Sequence, residues 1–371
     1  MGIAERQERI KELEKEISET KYNKRTQAAI GLLKAKLARL KERQEQAASK
    51  KSYAYGYSIK KSGDSTVVLV GFPSVGKSTL LNRLTNADSK IGAYAFTTLK
   101  PIPGILKYND ADIQVIDVPG IIYGAATNKG RGKEVISIMR NADLLLILLD
   151  IFHLDHYDAL MKEVWDANIR VNKKKPKVVI NKRSKGGISV STIVPLEESL
   201  ETFKNVAKEL GIINADITIY DTIDVDDFID CIEGNRVYNN LIVVINKYDQ
   251  IDFLTKRQKK EFDEFVKEHN PLLVSAGTNY NVDKLKKTIF DSLHLIRIYT
   301  KDRIKGVDMT DPIILRDGSS LKEVGRNLHK EFLKKFKYVK IWGKSAKFDG
   351  QVFRNLDHVV QDKDIVEFFL K

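Results

Sequence analysis

The sequence predicts an α/β protein: a doubly wound, mostly parallel sheet that carries a small α+β insertion, with a helical hairpin before it and a β-grasp module after it. Three observations lead there. Short apolar runs alternate with helical patterns between residues 66 and 274, as in sheets covered by helices on both faces. A glycine-rich loop, Gly71–Ser78 (GFPSVGKS), joins one such run to a helical pattern. Two core strands, closed by Asp150 and Asn246, lie 96 residues apart, whereas one crossover needs only about a dozen.

Residues 1–50 have helical periodicity. Ile10, Leu13 and Ile17 share one face, and Leu32, Leu33, Leu37 and Leu40 share another, so each segment has an apolar stripe. Lys21–Lys24 (KYNK) breaks the pattern, which gives a hairpin with a basic outer surface. That surface suits either packing and solubility or contact with a partner or RNA.

The main domain is expected over residues 51–172 and 241–296. Thr66–Val70 reads as a strand that feeds the glycine-rich loop, and Ser78–Leu84 as the helix after it. Ile113–Ile116, Leu144–Leu149, Leu241–Ile245 and Leu272–Val274 are further buried strands, and Asp158–Ala167 is a helix. The insertion is expected over 173–240. It has a strand-like run Ile188–Val194, a helix Glu197–Leu210, a strand Ile217–Tyr220 and a short helix Val225–Ile232. The last module, 297–371, reads β-α-β-β, with strands Pro312–Leu315, Tyr338–Trp342 and Ile365–Leu370 and a helix Leu321–Phe336.

Composition narrows the class. A chain of 371 residues holds two or three domains. Cys231 is its one cysteine, which excludes an internal disulfide and fits a reducing compartment. The N-terminal stretch has no apolar h-region, and the longest apolar run, Leu144–Leu149, is too short to cross a bilayer. Neither secretion nor a membrane span is therefore expected; a monomer is expected as well. The net charge of +13 suits an anionic partner such as RNA, a ribosome or a membrane surface, but equally a solvated Lys-rich surface.

The chemistry lies in two segments. Gly71 and Gly76 allow the tight turns by which successive N–H groups face phosphate oxygens, and the following helix adds its positive end. Phe72, Pro73, Ser74 and Val75 complete the loop, and Thr79 follows it. Lys77 is expected to bridge β- and γ-phosphates and the Ser78 hydroxyl to ligate Mg²⁺. Asp117–Gly120 (DVPG) follows a strand; Asp117 is placed to hold Mg²⁺ through water and the Gly120 N–H to touch the γ-phosphate. Between these, Thr98 is favoured over Thr97 as a further Mg²⁺ ligand that senses the γ-phosphate. Lys77, Thr98 and Gly120 are thus the catalytic candidates, and Ser78, Thr98 and Asp117 the metal candidates.

The second segment is Asn246–Asp249 (NKYD). Asp249 suits acceptance of two hydrogen bonds from guanine N1–H and its amine, which adenine cannot offer. Asn246 is expected to tie this loop to the phosphate loop, the Lys247 stem to cover a base face, and the Ala276 N–H of Ser275–Ala276–Gly277 to meet guanine O6. A second VVINK string, Val178–Lys182, is followed by Arg183 and Ser184 rather than by Asp, so base recognition is assigned to Asp249. Many GTPases place a water-orienting Gln after the DxxG glycine; here Ile121 stands there, so hydrolysis is expected to be slow or assisted. Ile122–Gly132 is expected to be a switch segment. His153 and His156 lack further nearby ligands and read as surface residues.

Together these strings resemble the developmentally regulated GTP-binding proteins of the Obg-like GTPase superfamily. The carriers span the chain: GFPSVGKSTLLN (71–82), YAFTTLKPIPG (94–104), DVPGIIYGAA with GRG (117–132), KGGISV (185–190), EGNRVY (233–238), NKYDQI (246–251), IRIYTK (296–301) and LDHVVQDKDIVEF (356–368). The resemblance implies a P-loop GTPase with an S5-like insertion and a C-terminal TGS domain. It also implies a cytoplasmic protein tied to ribosomes and a dedicated protein partner. A hydrophobic residue at position 121 is a habit of that family. Some relatives use K⁺; those with the clearest K⁺ signature carry Asn where Ser74 stands. The chain departs from the family pattern at Tyr123, usually Glu, and at Asn128, usually Gly. The implied function is a Mg²⁺-dependent GTPase switch on translation; the alternative is a GTP-holding RNA- or ribosome-binding scaffold with little hydrolysis.

Overall fold

Strands β1 (Ser65–Val70) and β4 (Leu144–Asp150) are buried along their whole length. A strand without polar alternation needs cover on both faces, which a parallel sheet with crossover helices provides. The computed structural model describes residues 3–21, 23, 26–49, 63–85, 102–118, 132–302, 306–328 and 333–370. They fall into two compact units, one within 1–56 and 168–238, the other within 57–167 and 239–371.

The larger unit holds the main sheet. Besides β1 and β4 it contains β2 (Ile102–Tyr108), β3 (Ala111–Asp117), β9 (Val237–Asn246) and β10 (Leu272–Leu273). The order is β10-β9-β4-β1-β3-β2. All neighbours are parallel except β2 and β3. Those two form a hairpin whose turn, Asn109–Asp110, has both φ angles positive, 49° and 66°, as a two-residue turn with the right twist requires. One face packs on α3 (Lys77–Thr85) and α9 (Val282–Ser292), where Val67, Leu69 and Leu146 meet Leu80, Leu84 and Leu285. Among the described residues this part also has helices α4 (Gly132–Asn141), α5 (His156–Asp166) and α8 (Lys256–His269). The sequence pattern did not single out β2, α4, α8 or α9.

The C-terminal part of this unit is a five-stranded sheet. Its strands are β11 (Leu295–Asp302), β12 (Gly306–Arg316), β13 (Phe336–Trp342), β14 (Gln351–Phe353) and β15 (Ile365–Leu370), in the order β12-β11-β15-β13-β14. Helix α10 (Leu321–Leu328) packs Leu321 and Val324 on Ile298, Val339, Ile341 and Val366. The helix expected through Phe336 is too long. Phe336 opens β13, pairs with Leu370 and sets its ring against Phe368 at 6.2 Å; from Val339 onward burial alternates as in a strand.

The smaller unit joins the N-terminal hairpin, α1 (Ile3–Glu19) and α2 (Gln27–Ser49), to the insertion. After β5 (Ile169–Val171), the insertion has β6 (Val178–Lys182), β7 (Ile188–Thr192), α6 (Leu200–Glu209), β8 (Ala215–Ile219) and α7 (Val225–Glu233). Its sheet runs β6-β8-β7. The VVINK string at 178–182 is therefore an edge strand of this sheet. Ser199 and Asp224 cap α6 and α7 by accepting from the Thr202 and Asp227 N–H groups.

The buried face of α2 differs from the expected leucine stripe. Ile30, Gly31 and Ala35 are buried, while Leu32, Leu33, Leu37 and Leu40 are half-buried. Small residues let α2 approach the insertion closely: a Cβ on Gly31 would lie 3.2 Å from Thr202 Cγ2 and 3.6 Å from Val206 and Val225. Lys34 Nζ reaches Asp226 Oδ2 at 2.6 Å and Arg39 Nη1 donates to the Glu209 carbonyl at 2.9 Å. The hairpin is thus a packed layer on α6 and α7.

Candidate functional site

The phosphate-loop half is built by β1 and α3. Gly71 passes so close to β4 that a Cβ would lie 2.6 Å from the Leu148 carbonyl oxygen. Ser74 and Gly76 turn the loop with φ of 64° and 93°, left-handed values that a β-branched residue would resist. The Gly76 carbonyl then accepts from Leu80 N–H at 2.9 Å, which starts α3. The loop and the helix N-terminus together form an anion-binding concavity.

Lys77 is nearly buried, at 8% exposure. Its ammonium donates to the Gly71 and Phe72 carbonyls at 3.0 and 2.9 Å, and burial lowers its pKa against the opposing pull of Asp117. Asp117 closes β3 beside Leu69 of β1. Ser78 Oγ donates to Asp117 Oδ2 at 2.8 Å. Among the described residues, Asp117 Oδ1 is buried without a hydrogen-bond partner, and burial raises the Asp117 pKa over the lowering effects of Lys77 and Ser78. A buried carboxylate oxygen left unpaired beside a hydroxyl is a donor set that fits Mg²⁺, a hard cation that binds through one or two protein oxygens. Thr98 and Gly120, with Thr97, Ile121, Tyr123 and Asn128, lie outside the described residues.

The base-reading half starts at the end of β9. Asn246 Nδ2 donates to the Val75 carbonyl at 2.9 Å and Asn246 Oδ1 accepts from Ala276 N–H at 3.0 Å. One side chain thereby joins the phosphate loop to the segment Ser275–Gly277. The Ala276 N–H, expected to face a base oxygen, is directed at Asn246 instead; its contribution is to fix that asparagine. Lys247 takes a left-handed conformation, φ 62°, and opens the 3-10 turn Tyr248–Phe253 that carries the exposed Asp249. The Tyr248 N–H donates to the Val274 carbonyl at 3.1 Å. The Lys247 ammonium pairs with Asp150 at the end of β4.

Three features escaped the sequence reading. Arg83 of α3 donates through Nε to the Ala276 carbonyl at 3.0 Å and through Nη2 to that of Gly277 at 3.2 Å. Asp150 holds Lys247. His156 is half-buried, with its ring 4.2 Å from that of Phe72 and 5.2 Å from that of His153, nearly parallel to the latter. The expectation of a surface residue thus holds for His153, 57% exposed in its side chain, and not for His156. Asp150 had a signal, its place after a six-residue apolar run; Arg83 had none. Among the described residues no group of three or more His, Cys, Asp or Glu gathers for a metal, and no helix is long and apolar enough to cross a membrane.

Comparison with known proteins shows the family. Residues 66–182 match the family described as 50S ribosome-binding GTPase, 185–295 match the C-terminal region of that domain, and 296–370 match the TGS domain. A GTP-binding protein of Methanocaldococcus jannaschii is 48% identical over 373 residues, covering 100% of this chain and 94% of the relative. The human developmentally-regulated GTP-binding protein 2 is 40% identical over 374 residues, covering 100% of both. A solved structure of Aquifex aeolicus Era overlaps loosely, with TM-score 0.35 and 23% identity over 62% of this chain and 56% of that one.

Proposed function

The chain belongs to the developmentally regulated GTP-binding protein family and is a GTP-binding protein; from that premise we propose that it hydrolyses GTP with Mg²⁺ and acts as a nucleotide-dependent switch on the ribosome. The observation that carries this is Asn246. By bonding to both Val75 and Ala276 it brackets phosphate and base elements into one site. Gly71–Thr79 would enclose the phosphates, with Lys77 as the charge beside them. Ser78 and Asp117 would hold Mg²⁺, whose chemistry is to draw charge from the phosphate oxygens. Thr98 and Gly120 would sense the γ-phosphate, and Asp249, with Lys247 and Ser275–Gly277 around it, would read guanine.

The ribosome enters this proposal through the family description matched by residues 66–182 and through the net charge of +13, which favours RNA. A dedicated protein partner, a cytoplasmic location and a monomeric state complete the reading. Ile121 motivates a second one, a GTP-holding scaffold with little hydrolysis, since its side chain cannot orient water. Single-turnover hydrolysis in K⁺ or Na⁺, with and without ribosomes, separates the two. Phosphate release stimulated by ribosomes or K⁺ supports the switch; no release under any condition supports the scaffold. The site assignment itself predicts that Asp249→Asn shifts preference from guanine to xanthine nucleotides, and unchanged guanine preference would sink it.

A further inference from the structure

We infer that Asp150 is a positioning residue for base recognition: from the end of β4 it fixes Lys247 and, through Lys247, the turn that presents Asp249. The inference rests on the guanine-site reading above. In the β4–β9 pairing Asp150 lies opposite Asn246, one residue before Lys247. Its carboxylate is itself held: it is 4% exposed, and Oδ1 accepts from the Phe152 N–H at 2.8 Å. The other oxygen, Oδ2, takes the Lys247 ammonium. A fixed anion therefore meets a lysine that is one-third exposed at its side chain.

The need for such a hold lies in the backbone. Lys247 has φ 62°, a left-handed conformation that lysine keeps only when its surroundings impose it. The impositions present are Tyr248 N–H to the Val274 carbonyl, Gln250 N–H to the Lys247 carbonyl at 2.9 Å, and the ion pair with Asp150. The first two constrain the backbone after Lys247; among the described residues, Asp150 is the group that holds its side chain. Removing the carboxylate charge frees that side chain and the turn behind it, and the exposed Asp249 loses its fixed bearing. The loss falls on the discrimination of guanine more than on phosphate binding, since the hydrogen bonds of Lys77 and Ser78 run to Gly71, Phe72 and Asp117.

The test uses the full chain and compares GDP with inosine diphosphate, which keeps N1–H but lacks the 2-amine that Asp249 would bind. Asp150→Asn is expected to speed GDP dissociation by about tenfold, the scale of one charge-assisted hydrogen bond. It should shrink the GDP-to-inosine-diphosphate affinity ratio while leaving the hydrolysis rate of saturating GTP unchanged. Lys247→Met should also shrink that ratio, and the double variant should shrink it no further than the more affected single one, as coupled residues behave. An unchanged ratio, an equal loss for both nucleotides, or effects that multiply in the double variant would overturn the inference. A wild-type chain with no preference for GDP over ADP sinks the site reading, and the inference with it. Guanine preference intact in wild type with an Asp150→Asn ratio equal to it sinks the inference alone.

Discussion

Gly76 and Asn246 approach so closely that a Cβ on Gly76 would lie 2.3 Å from Asn246 Nδ2. The amide nitrogen needs that space because it donates to the Val75 carbonyl next door. The phosphate loop and the end of β9, 170 residues apart in sequence, thus meet through a missing methyl group.

Gly76→Ala therefore strikes twice. The methyl displaces Asn246, and alanine resists the φ of 93° at this position. The expected cost to GDP affinity is on the order of 2–3 kcal/mol, about a hundredfold, read by isothermal titration. Far-ultraviolet circular dichroism should stay unchanged, since the clash is confined to the loop.

Arg83 tethers the loop Ser275–Gly277 to α3 by two hydrogen bonds to carbonyls. Arg83→Ala leaves the phosphate loop intact and frees that segment. With bonds from a charged donor at a partly exposed site, a loss of about 1 kcal/mol is expected, roughly a fivefold faster GDP release in a stopped-flow chase. Arg83→Lys, which lacks the forked geometry, should recover little of it.

In the insertion, Asp230 is 3% exposed and accepts from two arginines: Arg170 Nε at 2.5 Å and Nη2 at 3.0 Å, and Arg236 Nε at 2.6 Å. Arg236 also reaches Glu233 Oε2 at 2.6 Å. Asp230→Ala leaves buried cations without their shared anion, at a cost of about 3–5 kcal/mol. Thermal melts with protease protection of residues 168–238 should show this loss as unfolding of the insertion. This network gives the string EGNRVY a structural role, through Arg236 and Glu233.

Where α2 meets α7, burial raises the Asp226 pKa above 3.8, outweighing the Lys34 ion pair that lowers it. A raised carboxyl pKa means that the folded chain binds more protons than the unfolded one between the two values. Its stabilising contribution is then full below pH 3.8 and is lost as pH rises through the raised value. Asp226→Asn should remove that slope, so wild type gains stability relative to the variant on acidification. Equal pH profiles of denaturant midpoints would contradict it.

The strands of the main sheet were legible because a strand covered on both faces is a continuous apolar run, as in Leu144–Leu149. The phosphate loop was legible because its glycines and lysine must fall at fixed spacing. The inserted segment showed itself as excess length between Asp150 and Asn246. Strand β2, and with it the hairpin to the expected β3, was missed although Asn109–Asp110 marks the turn, and α8 and α9 were missed because their mostly polar surfaces dilute the periodic signal. The α10–β13 boundary was misplaced because Phe336 continues the helical spacing of Leu321, Val324 and Leu328 while its contacts are those of a strand.

By itself, then, the sequence pointed to a phosphate loop and a base-reading segment, named candidate residues for each and showed that something is inserted between them. These follow from local requirements: backbone φ, apolar run length and the chemistry of single side chains. Only the tertiary structure decided that Asn246 links Val75 to Ala276, that Asp150 holds Lys247, that Arg83 tethers the base loop, and that Gly31 and Ala35 seat the hairpin on the insertion. Each is a contact between residues distant in the chain. Its identity depends on which surfaces the fold brings within about 3 Å, the reach of a hydrogen bond, and no local pattern encodes that.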